Sequence, residues 1–219
     1  MPRTTTRNNS TVSVPGWVDI SFTPELNSSL SPTTTVPPSP PPSPSLSHAI
    51  TVTFHPSPSP TGTGLHWHET HTEYLQVLHG FALITTGTHT AVFTAGSGVL
   101  TIPLYTVHQV QRADDTPEGK HHKDEELVIR EWTDPADRDK EVFFRNLLGV
   151  VGDKGGVPVF GVLEMVVSRA HDNFPVFWSG PGFLGDRVKG MVMRGVTYGV
   201  MGILGLLGGL FGWKGDYEE

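Results

Sequence analysis

Short runs of strand-forming residues, divided by Gly, Pro and Thr-Gly turns, fill the middle of the chain. The predicted strands occupy residues 49–54, 64–68, 73–78, 81–85, 88–94, 98–102, 107–112 and 126–132. About eight short strands at such close spacing are typical of a sandwich or a barrel. The segment 113–125 interrupts the series with polar and charged residues, and we expect it to form an exposed loop.

The hydrophobic period lengthens after Trp132. Residues 133–137 read Thr-Asp-Pro-Ala-Asp, which combines a capping side chain, a proline near the first turn and acidic residues. These features mark the start of a helix, and we predict one over 140–151. A second helix is predicted over 157–170. Its apolar residues fall on one face, namely Val159, Phe160, Leu163, Val166 and Val167.

The N-terminal part differs from this middle region. Residues 1–47 include a Ser-, Thr- and Pro-rich run at 29–45, which buries too little apolar surface to offset its chain entropy. We therefore predict a disordered segment over 1–47, in which 16–22 could supply one strand. The barrel is assigned to 48–133, and a helical C-terminal extension to 134–219.

The segment 195–213 contains no charged residue over nineteen positions, which is long enough to span a bilayer. Lys189 and Arg194 precede it, so the positive-inside rule would leave the barrel in the cytosol. Seven of the nineteen residues are Gly, a composition that allows close helix contacts in lipid but disfavours a helix in water. Two alternatives stay open: a C-terminal membrane anchor, or a helix that packs on the barrel or across a homodimer.

Composition and charge narrow the class of protein. The chain has no Cys, which excludes disulfides, Cys-ligated metal sites and a thiol nucleophile. A net charge of −7 without a long basic run argues against a nucleic-acid partner. The 25 Gly and 19 Pro favour turns and strands over a helical bundle. The first thirty residues lack the apolar run of a secretory signal, so we expect an intracellular protein that is not secreted.

A cluster of ionisable residues carries the clearest chemical signal. Residues 66–80 read HWHETHTEYLQVLHG, so His66 and His68 project to the same face of a strand. Glu73 can return to the same centre from the next strand, and His108 begins a later one. Three neutral imidazoles and one carboxylate suit one divalent first-row metal and leave positions open for water, oxygen or substrate. We expect Fe2+ or Mn2+, with Zn2+ or Ni2+ as alternatives.

The same residues resemble the first motif of the cupin superfamily, which is His-x-His, three or four residues, Glu, six residues and Gly. The positions that fit this spacing are His66, His68, Glu73 and Gly80. The resemblance covers about residues 49–132. It implies an all-β fold, the double-stranded β-helix or jelly roll of the cupin barrel, followed here by an α-helical extension. It also implies that the cluster holds the metal.

The second cupin motif is matched in part. Pro103 and His108 keep its separation, but Tyr105 stands where Gly is usual and Arg112 where Asn is usual. These departures concern the turn before His108 more than the ligand set. His71, in the turn between the two ligand strands, is expected to be solvated.

Four residues are candidates for catalysis. Glu73 could accept a proton as well as bind the metal. His79 shares the inward parity of Glu73 and could serve as an acid or base. Arg112 shares the strand parity of His108 and could bind an anionic group of the substrate. Tyr105, at the barrel mouth, could contact the substrate or fill space.

Three further strings stand out: LVIREWTDP at 127–135, EVFFRNLL at 141–148 and GWKGDYE at 212–218. They resemble a group of fungal cupins that often lie in polyketide gene clusters. This resemblance implies an oxidoreductase, in secondary-metabolite biosynthesis, that acts on a small hydrophobic, polyketide-like substrate. The alternatives are a non-redox isomerase or cyclase that uses the metal as a Lewis acid, and a membrane-tethered metabolite-binding module.

Overall fold

The computed structural model describes residues 10–22, 46, 48–57, 62–153, 161–178, 185–210 and 212. The strands in these ranges are β1 (Thr11–Val14), β2 (Val18–Phe22), β3 (Ile50–Phe54), β4 (His66–Trp67), β5 (Thr72–His79), β6 (Ala82–Thr86), β7 (His89–Phe93), β8 (Val99–Ile102), β9 (His108–Arg112), β10 (Leu127–Asp134) and β11 (Phe174–Pro175). The helices are α1 (Asp139–Asp153), α2 (Val162–Ala170) and α3 (Asp186–Leu210).

The strands form two antiparallel sheets. One has the order β1-β2-β3-β10-β5-β8 and the other the order β11-β4-β9-β6-β7. From β3 to β10 the chain passes repeatedly from one sheet to the other, and alternate apolar residues of both sheets meet in a shared core. Fully buried members of that core are Ile20, Val52, Leu75, Ile84, Val110 and Ile129. This is the jelly-roll barrel that the sequence predicts, with a C-terminal helical extension.

All eight predicted strands are present, each within two residues of its predicted ends. Gly80 shows why one turn is so short. Its φ is +79°, and a Cβ at this position would lie 2.5 Å from the carbonyl oxygen of Glu126. Glycine therefore allows β5 to end close to β10 and to reverse directly into β6.

The prediction of disorder is wrong for residues 10–15, whereas the strand that the sequence allows within 16–22 is present as β2. β1 and β2 form a hairpin, and β2 pairs with β3 at the edge of the larger sheet. Val18, Ile20 and Phe22 of β2 are buried in the core. Alternating apolar residues thus give this short segment enough burial to fold, although it precedes the Pro-rich run. Residues 23–45 lie outside the described residues.

The C-terminal extension contains α1 and α2 where helices are predicted. α1 begins at Asp139, because residues 133 and 134 still belong to β10. α2 begins at Val162, and residues 154–160 lie outside the described residues. The extension is not purely helical, however. β11 adds to the smaller sheet beside β4, where the ring of Phe174 stacks on Trp67 at 5.5 Å between centroids.

Candidate metal centre

The four predicted ligands converge between the sheets. His66 lies in β4 directly opposite His108 in β9, and His68 follows at the end of β4. Glu73 enters from β5 of the other sheet. One ligand atom from each residue lies within 4.8 Å of the other three. The strand parity on which the sequence prediction rests therefore holds for all four.

Backbone carbonyls fix the orientation of each imidazole. Nδ1–H of His66 donates to Gly64 O at 2.9 Å, that of His68 to Asp172 O at 2.7 Å, and that of His108 to Thr106 O at 2.9 Å. Because a carbonyl can only accept, the proton of each neutral ring is on Nδ1 and Nε2 carries a lone pair. Metal-binding histidines are held by the same kind of outer hydrogen bond.

The contact between Glu73 and His108 tests whether the site fits a cation. Nε2 of His108 lies 2.7 Å from Oε2 of Glu73, and Nε2 of His68 lies 3.8 Å from the same oxygen. Both nitrogens are buried, and neither has a hydrogen-bond partner among the residues that the structure describes. Lone pairs of buried atoms at this separation repel each other unless a proton or a metal ion lies between them. The donor set therefore fits a divalent cation.

Electrostatics favour the neutral, metal-binding form of two of the three imidazoles. Burial lowers the pKa of His66 well below its usual value, and the neighbouring His108 and His68 lower it further. Burial likewise lowers the pKa of His68. Burial alone would lower the pKa of His108, but the Glu73 carboxylate raises it above the ordinary value. His66 and His68 are thus neutral at pH 7, whereas a cation at this centre would replace the proton that Glu73 favours on His108.

Lys140 of α1 is a further polar group at the centre, and it lies outside the motifs of the sequence. Its Nζ donates to Oε1 of Glu73 and, at 2.9 Å, to Oε2 of Glu131. Burial opposes the ionisation of Glu73, yet Lys140 and His108 hold its pKa well below the usual value. Burial raises the pKa of Glu131. A lysine on the otherwise apolar face of a predicted helix, four residues before Phe144, was the available signal.

The centre opens into a cavity of about 130 Å³. Its apolar wall comes from the hairpin, from β3 and from α1, and includes Trp17, Ile20, Val52, Phe143 and Leu147. Its polar side contains the His/Glu cluster, Lys140 and residues of the C-terminal extension. A cavity of this size holds a compound of about one aromatic ring.

Asp172 joins the extension to the strand-connecting turn beside the metal centre. Its carboxylate accepts from the backbone N–H groups of Glu69, Thr70 and His71 at 2.8–3.1 Å and from Nδ1 of His71 at 2.9 Å. His71 also donates from Nε2 to Asp137. Its side chain is therefore held by protein partners, whereas the sequence analysis expects it to be solvated. The hydrogen bond to Asp172 has the largest effect, and together with the one to Asp137 it raises the pKa of His71 to about 9.

His79 does not face the cavity, contrary to prediction. It is exposed, and its Nε2 lies 3.7 Å from Glu125. The pairing between β5 and β10 shifts register between Val128 and Ile129, opposite the end of β5. Beyond such a bulge the alternation of inward and outward residues no longer holds.

Arg112 is buried as predicted but does not line the cavity. Strand β9 carries it about 13 Å from His108, at roughly 3.3 Å per residue. There its guanidinium donates to the carbonyl oxygens of Phe54, Lys123 and Glu125 and pairs with Asp114. The side chain anchors the 113–125 loop, and it is not among the described residues that line the cavity.

Tyr105 also lies away from the cavity. Its side chain is exposed, and the guanidinium of Arg194 from α3 lies 5.4 Å from its ring centroid. Its φ of +62° is a left-handed conformation that glycine adopts most easily. The turn before His108 thus keeps a glycine-like geometry although the residue is a tyrosine.

Comparison with known proteins gives only weak similarity. No protein-family model matches the chain, and no curated protein matches it. Among solved structures, oxalate decarboxylase from Lactobacillus farciminis is 27% identical over 38% of this chain and 22% of that chain, with a TM-score of 0.30. The cupin domain of Cnp3 from Schizosaccharomyces pombe is 14% identical over 38% of this chain and 51% of that one, with a TM-score of 0.30.

A cupin-superfamily protein from Desulfitobacterium hafniense is 12% identical over 38% of this chain and 62% of that one, with a TM-score of 0.28. The chain covers less than two thirds of each of these three structures. TM-scores this low carry no argument about activity or ligands. The sheet topology and the His/Glu cluster of this chain are themselves what fits a metal-binding cupin.

Proposed function

We propose that this chain is a metal-dependent oxidoreductase of the cupin type that acts on a small, hydrophobic, polyketide-like compound. The observation that carries the proposal is the cluster of three tautomerically fixed imidazoles and one carboxylate at the end of an apolar cavity. When bound there, iron or manganese would supply redox chemistry and polarise an oxygen of the substrate.

The protein residues have separate tasks in this proposal. His66, His68, Glu73 and His108 would hold the ion. The apolar wall excludes water and orients the substrate with its oxygen towards the polar side. Lys140, bound to Glu73 and Glu131, compensates the negative charge of two buried carboxylates before the ion arrives.

The test is oxygen uptake by the full-length chain loaded anaerobically with Fe2+ or Mn2+. Monocyclic phenols and 1,3-diketones are suitable substrates, since they match the size and polarity of the cavity. We expect uptake that requires both the metal and the substrate. The same protein loaded with Zn2+ is the matched control. Uptake that is equal with Zn2+, or absent with every metal and substrate, would contradict the redox proposal.

A second candidate is an isomerase or cyclase that uses the metal only to polarise a carbonyl. The buried ionisable groups Glu131 and Lys140 beside Glu73 favour it, because proton transfers need such groups whereas electron transfer does not. Turnover of a 1,3-diketone without oxygen consumption, retained with Zn2+, would identify this function and exclude the first.

We also propose that α3 attaches the protein to a membrane surface. The most apolar 18-residue window of the helix segment Arg187–Leu210 has a mean hydropathy of 1.4, and only 17% of that window is buried. Leu206 and Leu210 are 75% and 81% exposed. Because Thr197 donates to Pro175 O and Arg194 to Tyr105 O, the first half of α3 is tied to the domain. These contacts favour a helix that lies on the membrane over one that spans it.

Co-sedimentation with phosphatidylcholine–phosphatidylserine vesicles tests the attachment. The wild-type chain should sediment with the vesicles, and the double variant Ile203→Glu/Leu206→Glu should partition about tenfold less. Val99→Glu, which replaces an exposed apolar residue of the barrel, is the matched control. A wild-type chain that stays in the supernatant would exclude the attachment.

A further inference from the structure

A second group with the geometry of a proton acceptor lies in the cavity, formed by His171 and Asp139. His171 follows the last turn of α2, and Asp139 begins α1. Nδ1–H of His171 donates to Oδ1 of Asp139 at 2.7 Å. Both residues line the cavity that contains the metal centre. The hydrogen bond fixes the ring as the Nδ1–H tautomer, so Nε2 carries a lone pair.

That lone pair has no partner among the residues that the structure describes. Within those ranges Nε2 of His171 is buried without a hydrogen bond, and its side chain is only 3% exposed. Oδ1 of Asn173, which also lines the cavity, is likewise buried and finds no donor in the described part of the chain. Buried acceptors of this kind are costly unless something donates to them. Both require a hydrogen-bond donor, and the cavity is the space from which it can come.

We propose that His171 and Asn173 bind a hydroxyl group of the substrate, with His171 as its proton acceptor. The ligand class is a compound of about one ring with a phenolic or enolic hydroxyl. When the O–H bond breaks, the proton goes to Nε2 and the electron pair stays on the substrate oxygen. Asp139 is a positioning residue, because its carboxylate holds the ring in place and stabilises the imidazolium that forms.

This inference deepens the proposed function, since it names the substrate class and places an acid–base group across the same cavity. It differs from that proposal in its residues. The metal-binding cluster belongs to the barrel strands, whereas Asp139, His171 and Asn173 belong to the C-terminal extension. The two proposals can therefore fail separately.

The probe for the test is 4-nitrophenol, a one-ring phenol whose absorbance changes when it loses its proton. It is titrated at about pH 6 into the full-length chain loaded with Zn2+, which is redox-silent. We expect binding with formation of bound phenolate. His171→Leu should weaken binding at least about tenfold and abolish the phenolate signal while zinc content is unchanged. His121→Leu, at an exposed site in the 113–125 loop, is the matched control.

Phenolate that forms equally in His171→Leu would assign proton loss to the zinc and overturn the proposal. Because that variant could unfold, 15N NMR of the wild-type imidazoles gives an independent readout. The Nε2 signal of His171 should be that of an unprotonated nitrogen and should become protonated on addition of 4-nitrophenol. An unchanged signal would overturn the proposal, as would a wild-type ring that is protonated on Nε2 beforehand.

Asp139→Asn provides the readout for the positioning role. It should release the Nδ1–H tautomer, which the same NMR spectrum shows, and shift the pH profile of phenolate formation upwards. A wild-type chain that takes up none of Fe2+, Mn2+ and Zn2+ would refute the proposed function, while protonation of His171 by the probe would still decide the present inference.

Discussion

The two polar walls of the cavity come from regions of the chain that encode their chemistry in different ways. The barrel wall takes His66, His68 and Glu73 from eight consecutive residues, and His108 from a strand directly opposite. The extension wall takes its groups from α1 and from the residues after α2, which are separated by about thirty positions. The two-residue period of the strands predicts which residues form the first wall. The residues of the second wall come together only because α1 and α2 pack against the barrel.

The difference extends to charge. The barrel wall presents bare Nε2 atoms and one carboxylate, an arrangement that attracts a cation. The extension contributes a cation of its own, Lys140, to that carboxylate. In the proposed function the barrel would supply the complete ligand set, and the extension would adjust the affinity of the site and enclose the substrate.

The largest effect should come from breaking the barrel wall. His108→Ala removes a ligand that is 1% exposed and lies between both sheets. Loss of outer-shell partners already costs 10- to 100-fold in affinity, so losing a ligand should cost on the order of 100-fold or more. Isothermal titration calorimetry with Mn2+ measures this loss of affinity. His79→Ala, which removes an exposed histidine, should bind like the wild type, and equal affinity in both variants would refute the ligand assignment.

The next effect concerns the contact between Asp172 and the turn at 69–71, which connects the extension to the barrel. Asp172→Ala removes the acceptor of three backbone amides and of the His71 ring. Hydrogen bonds to a buried charge are among the stronger ones, so the free energy of unfolding should fall by about 3 kcal/mol. Chemical denaturation measures it, with the exposed Asp115→Ala as control. A loss no larger than that of the control would mean that the extension is not held by this contact.

The contact between His71 and Asp172 also predicts that the free energy of unfolding depends on pH. Because the folded pKa of His71 is raised from 6.5 to about 9, its contribution to stability is complete below pH 6.5 and is lost as the pH rises through about 9. Burial alone would raise the pKa of Asp172, but the hydrogen bonds from His71 and from the backbone outweigh burial and lower this pKa to about 2. That contribution is complete above pH 3.8 and is lost as the pH falls through about 2. The difference between wild type and Asp172→Ala should be largest near pH 5 and smaller at pH 9.5.

The smallest effect should come from the extension's cation. Lys140→Gln removes a positive charge that contacts the ligand Glu73, and repulsion between like charges a few ångströms apart exceeds 1 kcal/mol even at high effective dielectric. We expect Mn2+ affinity to rise about tenfold, measured by titration against the exposed Lys120→Gln. A fall in affinity would show instead that Lys140 mainly orients Glu73.

The two walls also differ in how well their residues can be predicted from the sequence. Local alternation predicts the strands and the four ligands, since a two-residue period fixes which side chains share a face. It fails for His79, where a bulge breaks the period, and for Arg112, where inward parity is correct but the position along the strand is not. His171 could not be assigned, and Lys140 was indicated only by its place on an apolar helix face, because both roles depend on how α1 and α2 pack against the barrel.

The most direct test of the account is the metal content of the full-length protein. Elemental analysis after anaerobic purification, followed by titration with Fe2+, Mn2+, Ni2+ and Zn2+, measures both identity and stoichiometry. The metal-site assignment predicts one divalent ion per chain, iron or manganese, and a stoichiometry that does not depend on the exposed histidines. A chain that binds none of the four ions at a one-to-one ratio, while its barrel is folded by circular dichroism, would contradict it.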